Sequence, residues 1–378
     1  MRIVVAPDSF KGSLLADEVA EAVARGIKKA DNLIEIVKIA MADGGEGTVR
    51  ALTKAASGRI VNCRVRDPLF REIEAFYGVL GDNQTAVIEM SAASGITLLA
   101  EDEKNPLKAT TYGSGELIKH ALDLGCRHFI IGVGGSATND GGAGMAQALG
   151  AKLLDRDGNE IDLGGGSLGQ LYRIDLQQFD QRVGESTFIA ACDVTNPLCG
   201  PNGASRVYGP QKGADEEMIR MLDENLAHYG SILENTFNLS IVDDPGSGAA
   251  GGFGAGLLAF LGAELRKGID IVIEITNLEK QIQQADLVIT GEGRIDGQTI
   301  FGKTPFGVAQ LAKKYAVPVV AIAGEIGEGS ETLYTHGFSS LFSIVDKPMA
   351  LEDAVSNASV LIENLAERIV RLLNTAKL

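Results

Sequence analysis

The sequence predicts an α/β protein with two domains, and three observations support this fold class. Short buried-strand runs alternate with helical patterns at both ends of the chain, whereas residues 58–90 alternate apolar and polar side chains. Glycine accounts for 47 of the 378 residues and clusters where apolar runs stop. We therefore predict a doubly wound, flavodoxin- or Rossmann-like parallel-sheet domain from residues 1–66 and 280–378, with residues 67–279 inserted as a mixed α/β domain.

The chain opens with a strand–helix–strand–helix order. Buried strands are predicted at residues 2–6 and 34–40, separated by a helix with an apolar residue at every fourth position from Leu15 to Ile27. Ser13 is expected to cap this helix at its N-terminus. A second helix is predicted after Thr48. Strands that alternate with helices in this way are typical of a parallel sheet.

The remaining elements follow from the same patterns. The alternation and the turn residues of 58–90 predict partly antiparallel strands. The last helix is expected to place Val355, Leu361, Leu365, Ile369 and Leu372 on one side. Buried strands are predicted at residues 129–133, 188–192, 287–290, 317–323 and 341–345.

Composition limits the possible partners and location. The formal net charge of −16 disfavours nucleic acid and anionic membranes as partners. The four cysteines include no pair with CxxC spacing, which indicates reduced thiols, and no apolar run is long enough to span a bilayer. We predict a cytoplasmic protein, with a homo-oligomer left open. A nucleotide site in so acidic a chain needs a divalent cation and local hydrogen-bond donors.

Carboxylates and glycines recur at the carboxyl ends of the predicted strands, where open α/β sheets bind ligands. No histidine lies at any of these predicted strand ends. This pattern favours carboxylate–Mg²⁺–phosphate chemistry over histidine-based nucleophilic chemistry. The candidate side chains at the strand ends, outside the glycine-rich loops, are Asp8, Ser9, Lys11, Asp43, Glu46, Asp193, Glu292, Asp296 and Lys303.

Two glycine-rich loops, at residues 134–144 and 246–256, are candidate phosphate sites. Glycine lets successive backbone N–H groups turn toward an anion, and a following helix N-terminus adds partial positive charge. The candidate residues for nucleotide and phosphate binding are Gly134, Gly135, Ser136, Thr138, Asn139, Asp140, Gly251 and Gly252.

Three shorter matches suggest other functions. Gly132–Ala137 fits a dinucleotide fingerprint and keeps open a nucleotide-dependent oxidoreductase of a small hydroxy acid. Gly297–Thr304 formally fits a P-loop, but the strand is expected to stop at Thr290, so only a phosphate role for Lys303 is favoured. Gly165–Gly169 fits a nucleophile elbow but is interpreted as a glycine turn. A non-catalytic carboxylate-binding sensor is the other alternative.

A resemblance to a known family rests on the segments Ala6–Ser13, Met41–Thr48, Gly134–Gly142, Asp193–Leu198, Gly209–Ala214, Gly248–Gly252 and Thr290–Asp296, with Gln298, Thr299, Gly302 and Lys303 beyond them. Taken together, these segments resemble the loops of type I glycerate kinases (glycerate 2-kinase-like). The resemblance covers essentially the whole chain. It implies phosphorylation of D-glycerate by ATP with Mg²⁺, with 2-phosphoglycerate favoured and 3-phosphoglycerate left open. It also implies two α/β domains.

These expectations assign hypothetical roles to the candidate residues. Lys11 is predicted to hold the glycerate carboxylate and Ser9 to bond a hydroxyl group, with Asp8, Asp43 and Glu46 as further substrate-binding residues. Asp193, Asp296 and Lys303 are the candidate catalytic residues, and Asp193 is expected to orient or deprotonate the attacking hydroxyl. Glu292 and Asp296 are the candidate Mg²⁺ ligands.

Overall fold

The chain forms two units whose boundaries differ from those predicted. The structure, a computed structural model, describes residues 1–42, 44–45 and 47–375. One unit comprises Met1–Asp43 and Ile269–Leu378, and the other comprises Gly44–Gly268. The sequence patterns instead predict boundaries at residues 66 and 280. The strand at residues 59–66 pairs along its whole length with the strand at 72–79, which draws it into the second unit.

Regular elements occupy most of the described chain. In chain order the strands are β1 (Arg2–Val5), β2 (Glu35–Lys38), β3 (Arg59–Arg66), β4 (Glu72–Val79), β5 (Thr85–Glu89), β6 (His128–Gly132), β7 (Lys152–Leu154), β8 (Arg173–Asp175), β9 (Thr187–Ala191), β10 (Glu264–Arg266), β11 (Leu287–Ile295), β12 (Val319–Ile326) and β13 (Ser340–Ser343). The α-helices are α1 (Ala16–Ala30), α2 (Thr48–Ala55), α3 (Ser91–Ser94), α4 (Tyr112–Asp123), α5 (Ala143–Ala148), α6 (Ala204–Tyr208), α7 (Glu216–Phe237), α8 (Ala249–Leu261), α9 (Gly268–Ile275), α10 (Leu278–Ile282), α11 (Thr304–Lys314), α12 (Leu351–Ser356) and α13 (Ala358–Thr375). Short 3₁₀ helices lie at Ile96–Leu98, Glu101–Glu103, Gly165–Gln170, Gln181–Glu185, Pro210–Lys212, Gly297–Phe301 and Ser330–His336.

The first unit is the predicted doubly wound α/β unit. Its sheet has the strand order β13-β12-β11-β1-β2, and all of its pairs are parallel. The chain runs from β1 outward to β2, then returns to the other side of β1 with β11. The order of strands therefore reverses between β1 and β11, which is where open α/β sheets bind ligands beyond the strand ends.

Three details of this unit correct the sequence-based predictions. Leu15, not Ser13, precedes the first turn of α1, and the Ser13 hydroxyl instead donates to the carbonyl of Val355 at 2.8 Å. Strand β11 continues past Thr290 because β12 pairs with it as far as Ile295. The last helical segment is two helices, and Leu372 is 64% exposed rather than packed on the core side.

The second unit is the predicted mixed α/β unit. Its main sheet has the order β10-β9-β6-β5-β4-β3, with parallel pairs from β10 to β5 and antiparallel pairs from β5 to β3. The antiparallel part covers the segment 58–90, as predicted. A separate antiparallel pair joins β7 and β8. The glycine-rich loop after β6 and the segment that carries Asp193 after β9 therefore leave neighbouring parallel strands at the same edge.

Two further observations concern the whole described chain. All four cysteines are free, with Cys126 and Cys192 buried and Cys63 and Cys199 partly buried. In the ranges that the structure describes, no helix combines the length and the apolar character needed to cross a membrane.

Candidate functional site

The loop after β1 is held against β11 and α11 by Asp8. The backbone N–H of Asp8 donates to the carbonyl of Gly291 at 2.8 Å, which continues the β1–β11 pairing. The Asp8 side chain is 7% exposed. One of its oxygens accepts from the hydroxyl of Thr304 at 2.6 Å, and the other accepts from the backbone N–H of Ser9 at 2.6 Å. These bonds set Ser9 and Lys11 at the reversal of strand order.

Glu292 lies near the end of β11, on the other side of the reversal. Its side chain is 15% exposed, and one carboxylate oxygen lies 3.3 Å from the ammonium nitrogen of Lys303. The hydroxyl of Thr299 donates to the other oxygen at 3.4 Å. Burial raises the pKa of Glu292 to about 7, and the nearby carboxylate of Asp8 adds to this rise while Lys303 opposes it. The Glu292 carboxyl group therefore lies where restricted hydration disfavours its charged form.

The carboxylate of Asp296 is engaged in hydrogen bonds with neighbouring residues. Its side chain accepts from the backbone N–H of Gln298 at 2.9 Å and from the guanidinium of Arg294 at 3.0 Å. It thus caps the 3₁₀ helix Gly297–Phe301. Its predicted catalytic and metal-binding roles compete with these partners, so Glu292 becomes the better candidate metal ligand.

The residues at the reversal line one pocket of about 580 Å³ in the first unit. Sequence reasoning singled out five of its polar residues: Asp8, Ser9, Lys11, Glu292 and Lys303. The charged lining also includes Glu325, which lies 3.7 Å from Arg294, and Arg294 itself, which sequence reasoning missed although it stands inside the matched segment Thr290–Asp296. A pocket with convergent polar groups at such a place is the default ligand site of an α/β unit.

The P-loop-like segment Gly297–Thr304 follows β11 directly, because the strand is longer than predicted. A 3₁₀ helix intervenes between strand and helix, and Gly302 adopts φ +102° before α11 begins at Thr304. The ammonium group of Lys303 folds back over β11, where it donates to the carbonyl of Arg294 at 3.3 Å and pairs with Glu292. Lys303 thereby faces the pocket, as a phosphate-binding lysine needs to.

In the second unit, Asp140 organises the glycine-rich loop that follows β6. The side chain is fully buried, and burial raises its pKa. One oxygen accepts from the backbone and hydroxyl of Thr111 at 2.7 and 2.9 Å, the hydroxyl of Thr110 at 3.3 Å and the backbone of Gly144 at 3.3 Å; the other accepts from the backbone of Gly142 at 3.2 Å. This carboxylate therefore accepts five hydrogen bonds inside the unit, from the loop itself and from Thr110 and Thr111.

The predicted phosphate-binding side chains of this loop are thereby revised. Thr138, Asn139 and Asp140 are each 0% exposed, so their side chains lie in the interior and are not presented to a ligand. Gly134 is partly exposed and Gly135 is exposed, so the backbone of these two residues is what the loop presents to solvent. Phosphate binding here would rest on backbone N–H groups rather than on side chains.

Lys212 hydrogen-bonds to the same loop from the interior of the second unit. Its side chain is 2% exposed, and its ammonium group donates to the hydroxyl of Ser136 and to the carbonyl of Thr138, both at 2.7 Å. Burial lowers the pKa of Lys212 to about 7, and the carboxylate of Asp140 opposes this shift. Sequence reasoning did not select Lys212, although it stands in the matched segment Gly209–Ala214.

The second glycine-rich loop packs against the first. Ala250, Gly251 and Gly252 have φ values of +53°, +75° and +85°, so regular helix in α8 begins only after them. The carbonyl of Gly251 accepts from the backbone N–H of Gly141 at 3.0 Å, and a side chain at Gly251 would collide with the carbonyl of Thr138. Gly251 and Gly252 are buried, so we interpret them as packing against the first loop rather than contacting a phosphate.

Asp193 is exposed just beyond β9, as its position after an apolar run predicted. One of its oxygens accepts from the backbone N–H of Gly268 at 3.1 Å, at the start of α9. Ala191, the last residue of β9, pairs with Gly132 of β6, so Asp193 and Gly134 leave the sheet at the same edge. The other two predicted substrate-binding acids, Asp43 and Glu46, lie outside the described residues.

The dinucleotide and nucleophile-elbow matches lack their structural contexts. Helix α5 begins at Ala143, well beyond the fingerprint Gly132–Ala137, and has only 6 residues. A dinucleotide site needs the helix to open at once, so that its N-terminus meets the pyrophosphate. The segment Gly165–Gln170 is a 3₁₀ helix, in line with its interpretation as a turn.

Comparison with known proteins identifies the family. Residues 3–374 match the sequence model described as the glycerate kinase family. The chain belongs to the glycerate kinase family. A glycerate kinase from Bacillus subtilis (strain 168) is 52% identical over 377 residues, which cover 100% of this chain and 99% of that protein. A glycerate 2-kinase from Escherichia coli (strain K12) is 51% identical over 358 residues, which cover 95% of this chain and 94% of that protein.

A solved structure supports the same assignment. The structure described as glycerate kinase 2 from Salmonella typhimurium LT2 matches with a TM-score of 0.91 and 50% identity, and the match covers 100% of this chain and 99% of that one. The predicted resemblance and fold class are confirmed. This chain is an enzyme, a kinase of the glycerate kinase family, and the oxidoreductase and sensor alternatives are set aside.

Proposed function

We propose that this enzyme transfers the γ-phosphoryl group of ATP to a hydroxyl of D-glycerate, with 2-phosphoglycerate as the favoured product. The observation that carries the proposal is the pocket of the first unit, where Lys11, Lys303, Asp8 and Glu292 line one cavity. Phosphoryl transfer needs cations on the phosphates and carboxylates for Mg²⁺. The name of the Escherichia coli relative, glycerate 2-kinase, supports the choice of hydroxyl.

Ser9 and Lys11 are proposed to bind the acceptor. Lys11 is exposed at the pocket, and an ammonium group there can pair with the glycerate carboxylate. Ser9 offers a hydroxyl beside it, and Asp8 stabilises this loop through Thr304 and the Ser9 backbone. Asp43 and Glu46 stay predicted substrate-binding residues.

Glu292 is proposed as the main protein ligand of Mg²⁺, with Asp296 as the second candidate. Among the described residues, no group of three or more His, Cys, Asp or Glu side chains is arranged to hold a metal ion. Mg²⁺ usually takes one or two protein carboxylates together with water and substrate phosphates. The burial of Glu292 and its proximity to Asp8 raise its pKa, and a bound cation would relieve both effects. When bound, Mg²⁺ neutralises charge on the phosphates.

Lys303 and the backbone of Gly134 and Gly135 are proposed phosphate contacts. Lys303 lies on a strand-to-helix connection and faces the pocket through its contact with Glu292. Gly135 has φ +75° and is exposed, which suits a backbone that turns its N–H outward. Asp193 is proposed to orient or deprotonate the attacking hydroxyl, because it is an exposed carboxylate on a strand tip.

The proposal extends to location and partners. Free cysteines suit a reducing compartment, and we propose the cytoplasm. The net charge of −16 argues against nucleic acid as a partner, so the partners proposed are ATP and D-glycerate.

A single assay tests the reaction. Purified protein is mixed with ATP, Mg²⁺ and D-glycerate, ADP formation is followed by a coupled assay, and the product is identified by phosphorus NMR. We expect glycerate-dependent ADP release and a 2-phosphoglycerate signal. A 3-phosphoglycerate signal would contradict only the proposed hydroxyl. ADP release that does not depend on glycerate would contradict glycerate as the phosphoryl acceptor.

A further inference from the structure

One wall of the 580 Å³ pocket in the first unit is apolar, whereas the rest of its lining is largely polar. Charged and hydroxyl groups line the rest of the pocket, and they come from the loop after β1, from the end of β11 and the segment after it, and from Glu325 of β12. The segment after β13 contributes only apolar side chains. The six that matter here are Ile344, Val345, Met349, Leu351, Ala354 and Val355, and we call them the apolar wall.

The apolar wall is a built part of the unit. Ile344 is 3% exposed within the core, and Val345 and Met349 pack against that core. Asp346 pairs with Arg368 of α13 at 3.4 Å, which anchors the connection from β13 to α12. The hydroxyl of Ser13 donates to the carbonyl of Val355, so the loop after β1 contacts α12 directly. The wall and the polar groups therefore belong to one continuous cavity.

We propose that the apolar wall binds the adenine ring of the nucleotide. This rests on the proposed function, in which the phosphoryl donor is ATP. A three-carbon acid with a polar group on every carbon would lose water contacts against this wall without replacing them. The flat faces of adenine instead bury apolar surface there.

The volume of the cavity and the polar residues opposite the apolar wall are consistent with a bound nucleotide. A cavity of 580 Å³ lies in the range that holds drug-sized ligands, roughly 300–1,000 Å³, and exceeds what glycerate fills. With the base on the apolar wall, the phosphates extend along the same cavity to Arg294 and Lys303. Ser9 and Lys11 are then left for the acceptor. The assignment thus gives a binding role to a part of the cavity that glycerate does not use.

Leu351 provides the test because its side chain is 75% exposed and lines the pocket. It is the first residue of α12, where an aspartate is compatible with the helix N-terminus. We expect Leu351→Asp to weaken adenosine binding, measured by calorimetry, and to raise KM for ATP, each by about tenfold. KM for glycerate and the thermal midpoint should stay near the wild-type values.

Leu33→Asp is the matched control, since Leu33 is 88% exposed in the same unit and does not line the pocket. It should leave both KM values and adenosine binding unchanged. Unaltered adenosine affinity and KM for ATP in Leu351→Asp would overturn the assignment. A rise confined to KM for glycerate would also overturn the assignment, because it would show that the apolar wall binds glycerate rather than adenine. If the wild type bound adenosine through Leu351 but did not phosphorylate glycerate, the proposed function would fail and the base site would stand.

Discussion

The ammonium nitrogen of Lys212 lies 2.7 Å from the hydroxyl oxygen of Ser136, and the two residues are 2% and 8% exposed. The same ammonium group donates to the carbonyl of Thr138. A buried lysine thus hydrogen-bonds to the interior side of the glycine-rich loop, whereas the backbone of Gly134 and Gly135 forms its solvent-facing side. Both bonds are available to the neutral amine, which keeps two N–H groups. Lys212 therefore stabilises the loop whichever protonation state it adopts.

We expect Lys212→Met to destabilise the second unit in a pH-dependent way. Burial lowers the pKa of Lys212 from 10.5 to about 7, so between these values the unfolded chain binds more protons than the folded chain. The free energy of unfolding of the wild type then rises with pH across this window relative to the variant. Near pH 10, at the upper end of this window, the variant should be less stable by about 1–3 kcal/mol because two acceptors lose their donor, and the difference should shrink as the pH falls toward 7.

Urea unfolding from pH 6.5 to 10 measures this difference. Lys108→Met, which removes an exposed lysine of the same unit, is the control for the loss of a lysine as such. Parallel curves for wild type and Lys212→Met would contradict the assigned titration.

Gly251→Ala should destabilise the chain more than Gly262→Ala. Both glycines have positive φ, +75° and +59°, and each substitution costs about 1–2 kcal/mol for that backbone conformation. A Cβ at Gly251 also meets the carbonyl of Thr138, whereas at Gly262 it meets open space. We therefore expect an additional loss of about 1–3 kcal/mol at Gly251, measured by denaturant titration. Equal losses would show that the two glycine loops do not pack as closely as observed.

Activity should require a divalent cation. Glu292 and Asp8 place carboxylates in the pocket that is proposed to take phosphates, and the chain carries a net charge of −16. Chelation should lower kcat on the order of 100-fold or more, and Mg²⁺ should restore it. Chelator already saturated with Mg²⁺ is the control. Full turnover in the metal-free sample would remove the metal from the mechanism.

Lys11→Ala should impair the use of glycerate far more than the binding of ATP. One well-placed charged contact is worth about 1.5–3 kcal/mol, so KM for glycerate should rise about 10- to 150-fold. Steady-state kinetics with each substrate varied in turn measure the split. Lys28→Ala, which removes an exposed lysine of α1, is the control. A rise confined to KM for ATP would assign Lys11 to the phosphates.

Asp193→Asn should keep the fold and lose most of kcat. Asparagine retains an oxygen that can accept from the backbone N–H of Gly268, so local structure should survive. The loss of a general base costs about 10²–10⁴ in rate, or about 3–5.5 kcal/mol. Asp243→Asn, at an exposed acid of the same unit, is the control.

A Mg²⁺ series separates the alternatives for Asp193. Rescue at high Mg²⁺ would make it a metal ligand, and a lowered thermal midpoint with nearly normal kcat would make it a cap. A kcat within about threefold of wild type at saturating Mg²⁺ would remove Asp193 from the catalytic residues.

Much of the fold could be predicted from local pattern. Strands β1, β6 and β9 follow from short apolar runs bounded by glycine or polar residues, because such a run buries itself wherever it pairs. The matched loops indicated the family, and the order of elements placed Asp8, Glu292 and Lys303 at strand ends. These features depend on residues close together in the sequence.

The burial of the polar groups was decided only by the tertiary structure. Asp140 and Thr138 looked like ligands from the sequence, yet Thr110 and Thr111 and the Gly251 loop enclose them. Lys212 looked like an ordinary surface lysine, yet it lies 76 positions from the Ser136 hydroxyl that it bonds. A sequence pattern reports which side chains avoid water, but the burial of a charged side chain such as Asp140 or Lys212 depends on distant partners that hydrogen-bond to it. Those partners come together only in the folded chain.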